Sequence, residues 1–145
     1  MTEIHQAGAP DIDRRSLYRI LRLRQEVFVV EQDCPFVDLD GRDLEPTTVH
    51  LWIDEDPQAP GVTACLRILA DPGDGTELGR IVTAPPARGR GLGGELVERA
   101  LRVSRPPWVL KAQARLAGWY EGFGFRPIGP EFIEDGIPHV PMGRD

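Results

Sequence analysis

Residues 76–101 read TELGRIVTAPPARGRGLGGELVERAL, and this stretch decides the fold. Leu78 to Thr83 is a short apolar run rich in strand formers. Ala84-Pro85-Pro86-Ala87 is a turn. Arg88-Gly89-Arg90-Gly91-Leu92-Gly93-Gly94 then runs into a pattern that places Leu92, Leu96, Val97, Ala100 and Leu101 on one helical face. A strand, a Gly/Arg-rich turn and a helix form a site for a phosphorylated ligand. The N–H groups of the first helical turn have no intrahelical acceptor, and the helix dipole adds about half a positive charge there. Glycines let a phosphate approach the backbone.

On the N-terminal side, Glu3 to Gln6 reads as a short strand and Ser16 as the cap of a helix over 16–30. The helix ends in the β-branched run VFVV, which suits a helix poorly. Residues 33–46 form a loop crowded with carboxylates, read either as a negative rim that attracts an amine or as a solvated loop with Asx turns. Thr48–Ile53, Val62–Leu69 and Thr76–Thr83 read as three strands of a meander, with Asp71-Pro72-Gly73-Asp74-Gly75 as the second turn. On the C-terminal side, Ser104-Arg105-Pro106-Pro107 stops the helix and Trp108–Gln113 is a buried-type strand. A βαβ unit therefore spans the glycine turn. Ala114–Glu121 reads as a short helix, with Phe125–Phe132 and His139–Met142 as a closing antiparallel pair. The expected architecture is a mixed α/β (α+β) sheet with few helices, in one domain over residues 1–145.

Three phosphate-binding turns compete for residues 88–94. A P-loop needs Lys-Ser or Lys-Thr after the glycines, and neither is present. Gly89, Gly91 and Gly94 match G-x-G-x-x-G literally, and a dinucleotide fold wants such glycines directly after the strand. Here Pro85-Pro86-Ala87-Arg88 intervene, and the next strand ends Lys111-Ala112-Gln113 without an acidic residue. The third is a coenzyme A turn. Arg88-x-x-Gly91-x-Gly93 resembles the [QR]-x-x-G-x-[GA] motif of the GNAT N-acetyltransferases, and Gln113-x-x-Leu116-x-x-Trp119-Tyr120-x-x-x-Gly124-Phe125 resembles that family's second motif at the right distance. LYRILRLRQEVFVVEQDCPFVDLDGRDL, ARLAGWYEGFGF and EDGIPHVPM further resemble the ElaA-like subfamily.

The resemblance implies the GNAT fold: a mostly antiparallel mixed sheet with a central βαβ acetyl-CoA unit and a C-terminal β-hairpin. It implies acetyl-CoA as donor cosubstrate and no metal. Ile81, Val82 and Thr83 match the strand that pairs with pantetheine, and Gly89, Gly91, Leu92, Gly93 and Gly94 the pyrophosphate loop, with Arg88 and Arg90 adding charge. Gln113 stands where the family usually has Asn. Tyr120 occupies the general-acid position, against a reading as core packing. Glu77 lies where some members keep a catalytic base, with water as the alternative; Glu31, Asp38 and His139 are rivals near the acceptor. Acyl-homoserine-lactone synthesis and a non-catalytic acetyl-CoA sensor are the competing functions.

The whole chain narrows the class further. A net charge of -6 argues against nucleic-acid or anionic-membrane binding and leans toward a cationic amine as acceptor. No apolar run approaches the ~20 residues of a membrane span, and the N-terminus has no apolar leader core. Cys34 and Cys65 lack metal or disulfide spacing. A cytoplasmic protein is expected, as a monomer or homodimer.

Overall fold

The protein was analysed as a computed structural model, which describes residues 2–71 and 73–145. Its elements are β1 (His5–Gly8), α1 (Arg14–Arg24), β2 (Val49–Ile53), β3 (Ala64–Asp71), β4 (Gly75–Thr83), α2 (Leu92–Val103), β5 (Trp108–Gln113), α3 (Ala117–Glu121), β6 (Arg126–Pro127), β7 (Phe132–Glu134) and β8 (Ile137–Arg144). The sheet order is β1-β2-β3-β4-β5-β8-β6, with β7 also on β8. Among the described residues, only β4 and β5 run parallel, joined by α2; the other pairings are antiparallel. The mixed, mostly antiparallel sheet with a central βαβ unit is thus present.

Helices cover both faces. Leu51, Ile53, Leu66, Ile68 and Leu78 pack with Leu96, Val97 and Ala100 of α2. Trp52, Cys65 and Val82 pack with Ile20 and Leu23 of α1 and with Val27. Neighbouring residues of β2 and β3 serve opposite cores, as the two-residue strand period demands. This explains why VHLWI reads as an almost unbroken apolar run.

Three expectations are corrected. The first helix does not run over 16–30. Asp13, not Ser16, caps it, its side chain accepting from the Ser16 N–H at 2.8 Å and the Ser16 hydroxyl at 2.7 Å. At Gln25 the chain widens into a π-helical segment, Gln25–Glu31, which carries the β-branched run. The first strand starts at His5 rather than Glu3. The run 125–132 is not one strand: β6 and β7 both pair with β8, and the closing hairpin is β7–β8, turned at Asp135 (φ 53°) and Gly136 (φ 75°). Pro72 of the expected turn lies outside the described residues.

One irregularity shapes the centre. β4 and β5 pair only at Thr76–Trp108 and Glu77–Val109; beyond these the strands separate. On its other side, β4 passes from the Arg67–Gly79 pairing to Cys65–Val82, so three steps on β4 match two on β3. The extra residue is a β-bulge, with Arg80 at φ 52°. Plain strand alternation would put Glu77, Gly79, Ile81 and Thr83 on one face, and the bulge breaks that alternation. Before the bulge, Leu78 faces α2; after it, Ile81 does, and Val82 faces α1.

Candidate active site

Where β4 leaves β5, a cleft of about 1270 Å³ opens between the two arms. Ile81, Val82 and Thr83 line one arm and Lys111 and Gln113 the other. On the β5 side of β4, backbone groups beyond Glu77 have no strand partner, so an extended ligand can pair with them.

The glycine turn closes one end. Gly89 (φ 83°) and Gly91 (φ 78°) sit in left-handed conformations, and a Cβ on either would meet nothing within 4 Å. The space beside them is open for a ligand. The N–H groups of residues 89–94 have no acceptor among the described residues, as expected at the start of the twelve-residue α2. Gly93 and Gly94 are glycines for another reason. Trp119 and Phe123 lie against them, at 3.6 and 3.3 Å from where a Cβ would sit. The second motif thus packs directly on the first. The backbone geometry and the free donors fit a pyrophosphate.

Arg88 lines the cleft, donating from Nε to the Thr83 carbonyl and from both terminal nitrogens to Glu31 at 2.6 Å. Its bond holds the Glu31 carboxyl below the usual range. Arg90 instead makes a bidentate pair with Glu55 at 2.8 and 2.7 Å and does not line the cleft. Gln113 donates to Gln32 at 3.3 Å and accepts from Arg115 at 3.0 Å. The π-helical turn and its end thereby touch the glycine turn through Glu31 and the β5 arm through Gln32.

Tyr120 is buried in an aromatic group with Trp119 and Phe125, yet it lines the cleft. Burial alone pushes its phenol up to about 12, so it stays protonated at neutral pH. His139 also lines the cleft. It stacks on Phe132 and places Nδ1 2.7 Å from the Ile137 carbonyl, so one ring nitrogen is engaged by its own strand.

On the α1 side of β4 lies an ion network that no local stretch of sequence reveals. Arg24, fully buried, donates to Asp38 at 2.9 Å and to Asp43 at 2.5 Å. Arg67 donates to Asp40 at 2.9 and 3.0 Å and to Asp43 at 3.2 Å. Arg80 reaches Asp38 at 2.7 Å and Asp40 at 3.4 Å. Burial works against ionisation of Asp40, but the Arg67 bond, the Arg42 backbone N–H and the nearby cations outweigh it and bring it down to about 2. Three carboxylates of the acidic loop are thus matched by arginines, and Asp38 is anchored rather than free. The one sequence signal for this network is three arginines at strand or helix positions that otherwise read as apolar faces. Glu77 lines the cleft and is half-buried; its nearest cation, Arg42, is 3.8 Å away, beyond hydrogen-bond reach.

A family description, acetyltransferase (GNAT) domain, matches residues 42–145. A UPF0039 protein of Mycobacterium tuberculosis is 46% identical over 99% of this chain and 94% of its own. Protein ElaA of Escherichia coli is 37% identical over 100% of this chain and 97% of its own. The crystal structure of an acyl-CoA N-acyltransferase from Pseudomonas aeruginosa superposes with a TM-score of 0.89 at 38% identity, covering 100% of both chains. An acyl-homoserine lactone synthase, BjaI, shares the fold alone, at 16% identity and a TM-score of 0.77, over 99% of this chain and 82% of its own. With the motifs in register and similarity spanning the full chain, the protein belongs to the GNAT acyltransferases and resembles their ElaA-like members.

Proposed function

We propose that the protein is an acetyl-CoA-dependent N-acetyltransferase that acts on a primary amine of a small or peptidyl acceptor. The observation that carries this is the separation of β4 from β5 directly beside a glycine turn whose N–H groups, from residue 89 to residue 94, are unpaired. The pyrophosphate rests on Gly89, Gly91, Leu92, Gly93 and Gly94, with Arg88 at its edge. The pantetheine arm pairs with Ile81 to Thr83 and carries the thioester toward the bulge.

The neutral amine attacks the thioester carbon and forms a tetrahedral oxyanion. A backbone N–H near Val82 or Thr83 stabilises that charge. The C–S bond breaks as the amide forms. Tyr120 gives its proton to the departing thiolate, which has a pKa of about 8.5 as the free thiol. The excess amine proton leaves to Glu77 or through water to bulk. Glu77 supports the base role because no protein donor hydrogen-bonds its carboxylate among the described residues.

The test is thiol release from acetyl-CoA with a panel of amines, beside a direct measurement of CoA binding. Turnover with at least one amine is expected. Tight CoA binding without turnover of any amine would overturn the reading.

A further inference from the structure

The acceptor side of the cleft combines an ion network with two open valences of opposite sign. Arg80 occupies the left-handed position of the bulge, a conformation that residues other than glycine rarely adopt. Its neighbour Gly79 keeps an ordinary φ, so the strained position falls on arginine although glycine is adjacent. The bulge turns the Arg80 side chain away from the α2 core and onto Asp38 and Asp40, at the cleft wall. Its Nη1 has no hydrogen-bond partner among the described residues. Arg67 also lines the cleft. It is only 4% exposed, and its Nε–H is buried without an acceptor. Gly79, its strand partner, leaves open space where a side chain would lie. A buried guanidinium N–H without an acceptor is costly unless a ligand completes it.

The opposite valence is Glu77, two residues before Gly79 on the same face of β4. Among the described residues the one cation within 4 Å of its carboxylate is Arg42, at 3.8 Å. The loop carboxylates Asp38, Asp40 and Asp43 are matched by Arg24, Arg67 and Arg80, so this wall offers no net negative field for a polycation. It offers one unfilled set of cationic N–H donors and one unfilled carboxylate.

Resting on the acetyltransferase reading above, we propose that the acceptor is an amine that also carries a carboxylate, an amino acid in chemical class. Its carboxylate lies on Arg80 and takes the unpaired Nε–H of Arg67 across the space left by Gly79. Its amine lies against Glu77, which faces the same cleft as the thioester. Arg80 then determines specificity, and the bulge places it.

The experiment compares each of the twenty amino acids with its amide and its decarboxylated amine, by thiol release from acetyl-CoA. At least one amino acid is expected to exceed both counterparts in kcat/KM by about tenfold or more, the effect of one charge-assisted bond pair. Arg80→Gly suits the left-handed backbone and removes the guanidinium. It should raise KM for that amino acid about tenfold more than KM for its amide, while Arg80→Lys recovers part of the difference. Equal or better turnover of amides and decarboxylated amines would overturn the amino-acid proposal and leave the acetyltransferase reading standing. If no amine is turned over, the acetyltransferase reading falls, and calorimetric titration of the amino acids into CoA-saturated protein decides this proposal. Binding that Arg80→Gly abolishes supports it; absence of binding by all twenty overturns it.

Discussion

Arg88 and Glu31 meet in a bidentate pair at 2.6 Å, joining the glycine turn to the π-helical turn across 57 residues of chain. Both side chains are about two-fifths exposed, at 43% and 41%. Such a pair adds little to stability and exchanges readily with solvent ions. On the acetyltransferase reading, a coenzyme A phosphate at the glycine turn would compete with Glu31 for the same guanidinium. Arg88→Gln is therefore expected to weaken CoA binding by about five- to tenfold. Glu31→Gln should leave binding equal or tighter, because it removes the competitor. Calorimetry at low salt measures both; unaltered affinity in Arg88→Gln would confine Arg88 to tying the turn to the helix.

Tyr120 should matter for chemistry rather than for binding. Tyr120→Phe keeps the aromatic packing with Trp119 and Phe125 and removes only the hydroxyl. The expected loss in kcat is roughly 10²-fold, with CoA affinity unchanged. Because burial raises the phenol to about 12, no loss of activity from its ionisation should occur between pH 7 and about 10. A full-rate Tyr120→Phe enzyme would remove the acid role.

Gly91 separates conformational strain from ligand contact. An alanine there meets no protein atom within 4 Å but must hold φ near 78°. The backbone penalty is about 1–2 kcal/mol. Thermal unfolding of Gly91→Ala should show a loss of that size. CoA affinity should fall by more than about tenfold, because the methyl group occupies the approach of the phosphates. Retained affinity in a folded Gly91→Ala protein would place the phosphates elsewhere.

The ion network predicts an acid-sensitive fold. The ordinary carboxyl pKa is 3.8 and Asp40 is held at about 2 in the folded state. A depressed pKa contributes stability that is present above the unfolded value and is lost as pH falls through the folded one. Stability should therefore drop as pH falls from about 4 to about 2. Asp43, lowered in the same direction against its burial by Arg24 and Arg67, adds to the effect. His50, buried and bonded to the Asp43 carbonyl at 3.1 Å, is lowered by burial from 6.5, so protonation of the unfolded chain removes stability as pH falls below about 6.5. Denaturant unfolding at pH 3 to 7 checks the slope. An Asp40→Asn variant with an unchanged slope below pH 4 would rule out the Asp40 contribution. Removing Arg24 should be the most damaging change, at about 3–5 kcal/mol, since it takes a fully buried partner from both Asp38 and Asp43 and leaves Asp43 with Arg67 alone at 3.2 Å.

Much of the donor side was legible because its signals are local. A glycine turn at a helix start and a proline turn before it follow from short-range backbone chemistry, and Tyr120 was marked by the resemblance to the family's second motif. Trp108–Gln113 matched residue for residue, because two prolines and a buried alternation bound it. The acceptor side was not legible. Asp38, Asp40 and Asp43 look like a solvated loop until Arg24, Arg67 and Arg80 are brought to them from a helix and two strands. The helix expected over 16–30 failed at Gln25 because the hydrophobic period alone does not distinguish α from π winding.

The sequence by itself determined that α2 begins at a Gly/Arg-rich turn, Arg88 to Gly94, of the kind that suits a phosphorylated ligand. It also determined which strands flank that turn. Only the tertiary structure decided what lies opposite. A single extra residue at Arg80 shifts the strand register, turns Glu77 and Gly79 away from the face of Ile81 and Thr83, and completes the ion network. Strand period is a local property, but a bulge is defined by pairing with another strand, so no reading of β4 alone can locate it.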